Sequence, residues 1–155
     1  MHQLKLEGGV PVCEGNNLFG QCDIPSGLAG GTVAVKVAAG SWHSVAVGSD
    51  GTVWCWGRNV EGQCDTPEDL GAVSHVAAGP YCTFAAGVDG RIHAWGELDD
   101  LFTLPDDFAR AVSLEGWLDF AARMWGRVHE DVFPKHVRST DEFAAIRAMH
   151  RLAEE

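Results

Sequence analysis

Through the first hundred residues, apolar positions come in short runs that alternate with polar ones every second residue, the pattern of strands with a face in a core. His43–Val47 alternates in this way, and Thr52–Trp56 is a run of β-branched and aromatic residues suited to a pleated surface. Ahead of them, Val33–Ala39 reads as a strand that ends in small residues, with Gly40 turning the chain. Ser49-Asp50-Gly51 supplies a hairpin turn, because Gly51 takes positive φ at no steric cost. The pattern predicts a three-stranded antiparallel unit followed by a polar loop, Arg58 to Leu70, punctuated by Gly62 and Pro67.

The unit is written more than once. Residues 37–57 recur as residues 76–96, 39 positions later, with ten identities in 21 aligned places and no gap. Residues 2–13 follow 43–55 with one residue dropped, and residues 13–25 match 55–67 in eight of 13 places. A repeat of this period is one supersecondary unit that buries its apolar face only by stacking on its neighbours. The third copy keeps Asp89-Gly90 and Trp95-Gly96, but its loop at 97–105 keeps only the proline.

Residues 116–129 resemble 79–93 with one deletion, and Gly126 falls where earlier copies turn; this predicts a degenerate fourth hairpin. The competing reading is an amphipathic helix over 117–128, with Trp117, Ala121, Met124, Trp125 and Val128 at helical spacing. The expected organisation is one repeat domain, 1–134, in units of about 2–32, 33–72, 73–109 and 110–134. Beyond Pro134, Ser139-Thr140-Asp141-Glu142 is a capping box, and Phe143, Ile146, Met149 and Leu152 share a helical face. Segment 135–155 is therefore expected as a helix that packs on or caps the repeats. The predicted fold class is mostly β, a stack of short antiparallel repeats with one C-terminal α-helix.

Charge narrows the partners. Asp and Glu number 22 against 11 Lys and Arg, for a net charge of −11, so a phosphate backbone is repelled and nucleic acid is excluded as a target. The same surface steers toward a basic protein. No apolar run reaches membrane-spanning length, and the N-terminal residues lack the apolar core of an export signal. The expectation is a cytoplasmic protein whose five cysteines are reduced thiols.

Residues with chemical potential are explained by the repeat. His43 belongs to a position that recurs in the unit and becomes Cys82 in the next copy, which suits a partly buried imidazole hydrogen-bonded to backbone better than a catalyst. Cys13 with Cys22, and Cys55 with Cys64, are nine residues apart, too far for close metal ligands, and each pair copies the other. Asp23 and Asp65 sit in separate copies, where they cannot act as an acid–base pair. No phosphate loop, nucleophile elbow or His-Glu-x-x-His motif is present. The chain is read as a non-enzyme without cofactor or metal.

Ala-Ala-Gly, His-Ser two residues on, Asp-Gly, Trp-Gly, then Asn, Gly-Gln-Cys-Asp and Pro form a distinctive order. It resembles the regulator of chromosome condensation repeat in its short bacterial form, over about residues 2–105 and more weakly 110–132. The resemblance implies a β-propeller, here a partial one of three and a half to four units. It also implies small residues of 37–40 and 76–79 at the hub, and Trp54, Trp56 and Trp95 wedged between sheets. Family members usually close a ring of about seven units, so a homodimer is expected to complete it, with capping by the C-terminal helix as the alternative. Exchange on a small GTPase and inhibition of β-lactamase are functions known among such propellers. The expected function is non-catalytic binding of another protein, in the manner of an intracellular inhibitor or immunity-type protein facing a basic partner. A half-propeller that assembles into a ring is the alternative, and a metal- or redox-responsive protein ranks below both. Loop residues Asn17, Gln21, Asp23, Trp42, Asn59, Glu61, Gln63, Asp65 and Tyr81 are the expected contacts.

Overall fold

The computed structural model describes residues 1–97 and 105–123. Eight strands are described: β1 (His2–Glu7), β2 (Val10–Gly15), β3 (Ala34–Ala39), β4 (His43–Gly48), β5 (Val53–Gly57), β6 (Val73–Ala78), β7 (Cys82–Gly87) and β8 (Ile92–Gly96). They form three antiparallel sheets: β1-β2, β3-β4-β5 and β6-β7-β8. The strands stand where the alternation placed them, within a residue or so at each end. Even an irregularity repeats, since the β3–β4 register shifts between Ala34 and Lys36 and the β6–β7 register shifts between Val73 and His75.

The sheets stack in chain order, and in the second sheet the middle strand β4 is the most buried. All six of its residues are buried, because both faces of the sheet are covered. Ala46 faces the first sheet, in a core with Leu4, Leu6, Leu28, Trp54 and Trp56. Val45 and Val47 face the third, in a core with Leu70, Val76, Ala85 and Trp95. The tryptophans at the strand ends thus fill the gaps between sheets, as expected. At the hub the inner strands come close enough that a Cβ on Gly40 would lie 2.6 Å from the Gly79 carbonyl oxygen, so only glycine fits. The fold is a partial β-propeller.

Three helices stand where the favoured reading placed none, the third of them on the segment whose competing reading was a helix over 117–128. The short α1 (Ser26–Gly30) buries Leu28 against the second sheet. Helices α2 (Asp106–Ala111) and α3 (Leu114–Arg123) cover the far face of the third sheet. Phe108, Val112, Trp117 and Phe120 form one core with Cys82, Phe84, Ala86 and Ile92. The hairpin predicted from residue 116 onward is therefore wrong for its described part, 116–123. The i, i+4 and i, i+3 spacings of Phe108–Val112 and Trp117–Phe120 answer the apolar face of β7, which a further hairpin at this place would have had to match. The predicted helix in 135–155 lies outside the described residues. At the opposite end the first sheet turns Gln3, Lys5 and Glu7 outward, opposite Glu14, Val12 and Val10 on β2, so that face mixes polar and apolar residues. No described helix is long and apolar enough to cross a membrane.

Candidate functional site: the loop rim

Each β2 or β5 strand leads into a glycine-rich loop that leans over the next sheet, and the residue holding it there is a glutamine. Gln21 and Gln63 are fully buried. The Gln21 carbonyl oxygen accepts from Ser44 Oγ at 2.7 Å and from Trp56 Nε1 at 2.9 Å. One copy later, the Gln63 carbonyl accepts from Thr83 Oγ1 at 2.7 Å and from Trp95 Nε1 at 2.9 Å. Each hydroxyl spends its proton on that carbonyl, so it must accept from the imidazole beside it. His2 Nε2 stands 2.8 Å from Ser44 Oγ, and His43 Nε2 stands 3.0 Å from Thr83 Oγ1. The signature His, Ser/Thr, Gln and Trp are thus one latch, made twice, that joins each sheet to the next. Burial pushes the His43 pKa down to about 4 and lowers that of His2, which keeps both rings neutral near pH 7.

The Gln side chains close the loops on themselves. Gln21 Oε1 accepts from the Phe19 N–H at 2.8 Å, and Gln63 Oε1 accepts from the Glu61 N–H at 3.0 Å. Asn17 and Asn59 accept from the N–H of Cys22 and Cys64, each at 2.8 Å, and donate to Asp23 and Asp65 at 2.9 and 2.8 Å. Of the nine expected contact residues, Gln21 and Gln63 are therefore corrected: they are buried braces that no partner reaches. Asn17, Asp23, Asn59 and Asp65 are exposed but serve the loop's shape first.

The remaining three belong to a row of rings and charge on the rim. Trp42 meets Phe19 edge-on at 5.6 Å between centroids. The Arg58 guanidinium lies 5.2 Å from the Phe19 ring and 5.6 Å from the Tyr81 ring. Glu61 fixes that guanidinium with two bonds, Nε to Oε2 at 3.0 Å and the terminal nitrogen to Oε1 at 2.6 Å, and is itself held down to about pKa 2 by the cation. Trp42, Phe19, Arg58 and Tyr81 thus form one continuous line over the edges of neighbouring sheets. Leu18 and Val60, at equivalent loop positions, leave 78% and 77% of their surface in water beside it. Phe19, Arg58, Leu18 and Val60 were missed from sequence. The signal was present in Leu18 and Val60: an apolar residue recurs at the centre of a loop that has no strand pattern.

The cysteines also differ from expectation. Cys13 and Cys22 are joined as a disulfide, whereas Cys55 and Cys64 are thiols. Among the described residues, no three His, Cys, Asp or Glu side chains converge as metal ligands.

Residues 34–63 match the family model of the regulator of chromosome condensation (RCC1) repeat, the span from β3 to the buried Gln63. The second unit of the chain is thus an RCC1-like repeat. Among solved structures it resembles human WBSCR16, with 21% identity and a TM-score of 0.56, over 68% of this chain and 33% of that one. It also resembles Prp20p from Saccharomyces cerevisiae, with 23% identity and a TM-score of 0.53, over 61% of this chain and 31% of that one. The structural report on Prp20p describes its binding to Gsp1p and histones. The chain spans about a third of the length of both proteins. No curated protein sequence matches it. Each latch takes its His and Gln from one copy and its Ser or Thr and its Trp from the next, and the first copy supplies a middle and an outer strand.

Proposed function

We propose that this RCC1-like chain is a non-catalytic module that binds another protein through its loop rim. The row Trp42–Phe19–Arg58–Tyr81 carries the reading. Trp, Tyr and Arg are the residues in which binding energy concentrates, and here they are held in place before any partner arrives. The signature polar residues are meanwhile engaged between sheets, so the chemistry that looked available in sequence is structural. Prp20p, of similar fold, binds proteins, which supports the class of function without naming a target. The narrower form of the proposal is an intracellular inhibitor or immunity-type protein, its net charge of −11 drawing in a basic partner.

The test is affinity capture from the source organism with the chain and with a W42A/Y81A variant whose circular dichroism matches the parent. A partner retained by the parent and lost by the variant supports the proposal. An identical set of captured proteins contradicts it. A second reading, assembly into a ring with another copy or another chain, is favoured by one observation: among the described strands β1 pairs only with β2 and leaves its other edge open. Sedimentation at twice the chain mass would favour a homodimer.

A further inference from the structure

The two cysteine pairs sit in the same surroundings. Cys13 Sγ lies 3.7 Å from the Gln21 carbonyl and Cys22 Sγ lies 3.8 Å from the Asn16 carbonyl. One copy later, Cys55 Sγ lies 3.2 Å from the Gln63 carbonyl and Cys64 Sγ lies 3.5 Å from the Arg58 carbonyl. The sequence separation, the loop and the neighbouring carbonyls all repeat, yet only the first pair is bonded. In the second, the sulfurs are 2.9 Å apart, within about 1 Å of bonding distance.

We propose that Cys55 and Cys64 are a second disulfide site, closed by thiol–disulfide exchange with a small-molecule disulfide of the glutathione type. The Cys64 thiolate attacks one sulfur of that disulfide; a mixed protein–S–S–R bond forms and one RS⁻ leaves with the electron pair. Cys55 then loses its proton to water and attacks Cys64 Sγ, displacing the second RS⁻. Two protein thiols are oxidised, and one small disulfide becomes two thiols. Cys64 is suited to go first, because the Cys55 S–H donates to it and lowers its pKa, while Cys55 is raised by giving that bond and by burial. The bond ties the loop to β5 directly beneath Arg58. It does not depend on the rim's being a binding surface.

Oxidised and reduced glutathione in graded ratios, applied to the folded full chain and followed by acid quenching, alkylation and trypsin, test this directly. Trypsin cuts after Lys36, Arg58 and Arg91, so the bond links peptide 37–58 to peptide 59–91, whereas Cys13 and Cys22 share peptide 6–36. The expected result is that linked pair, about 2 Da lighter than the two thiol peptides together once the alkyl group on Cys82 is counted on both sides. Its fragment spectrum should place the link at Cys64, and C64S should abolish it. Recovery of 37–58 only as an alkylated single peptide, under ratios that oxidise 6–36, overturns the proposal. So does a link that runs to Cys82.

Discussion

His43 is buried beside Thr83 with its pKa lowered to about 4, so protonation is easier in the unfolded chain than in the folded one. The sign follows: stability is complete above pH 6.5, falls as the pH drops from 6.5 toward 4, and the loss levels off below that. The full difference is on the order of 3 kcal/mol. Denaturant unfolding at pH 7.0 and 4.5 should show the fall, and H43N should flatten it by about one proton's worth of slope. Thr83 lies at the centre of the same latch. T83V leaves the imidazole N–H without its acceptor, and should cost about 1–3 kcal/mol in a chemical melt. Gly57 has φ +106°, and a Cβ there would lie 2.8 Å from the Trp42 carbonyl oxygen. G57A should therefore lower stability by about 1–3 kcal/mol, read as a drop in melting temperature. At this scale the sequence was half legible. His43 was read as a partly buried imidazole bonded to backbone and is instead fully buried beside the Thr83 hydroxyl, while Gln21 and Gln63 were offered as surface contacts. A polar side chain in a glycine-rich loop looks exposed until the main-chain carbonyl behind it is seen to bind the next sheet.

The strands were legible because period-two alternation is a local signal and each copy repeats it. The helices were not, for a physical reason. Residues 116–129 keep Gly, Phe-Ala-Ala and Gly-Arg at the spacing of a hairpin copy, and that spelling outweighed the helical spacing of the apolar residues. What decides the matter is the neighbour: β7 presents Cys82, Phe84 and Ala86 on the face away from the second sheet, and helices α2 and α3 bury them. The cap is then a major part of the molecule's stability. W117A, which empties a site with 1% exposure, should destabilise by about 3–5 kcal/mol and lower the denaturant midpoint. If the midpoint is unchanged, α3 does not seal the third sheet.

The described residues form a short arc with two unlike ends, one of mixed polar and apolar residues and one covered by helices, and a rim that carries rings, an arginine and two bare aliphatic side chains. Sequence revealed the arc through its repeat, but not the rim. Phe19, Arg58 and Tyr81 come from three separate turns of the chain, and only stacking of the sheets brings them together. Everything about the rim therefore depends on that stacking. Nuclear Overhauser contacts in a methyl- and aromatic-labelled sample measure it most directly. The structure predicts cross-peaks from Val45 and Val47 of β4 to Ala85 of β7 and the Trp95 ring. Cross-peaks confined to each hairpin, with none between the second and third sheets, would contradict it.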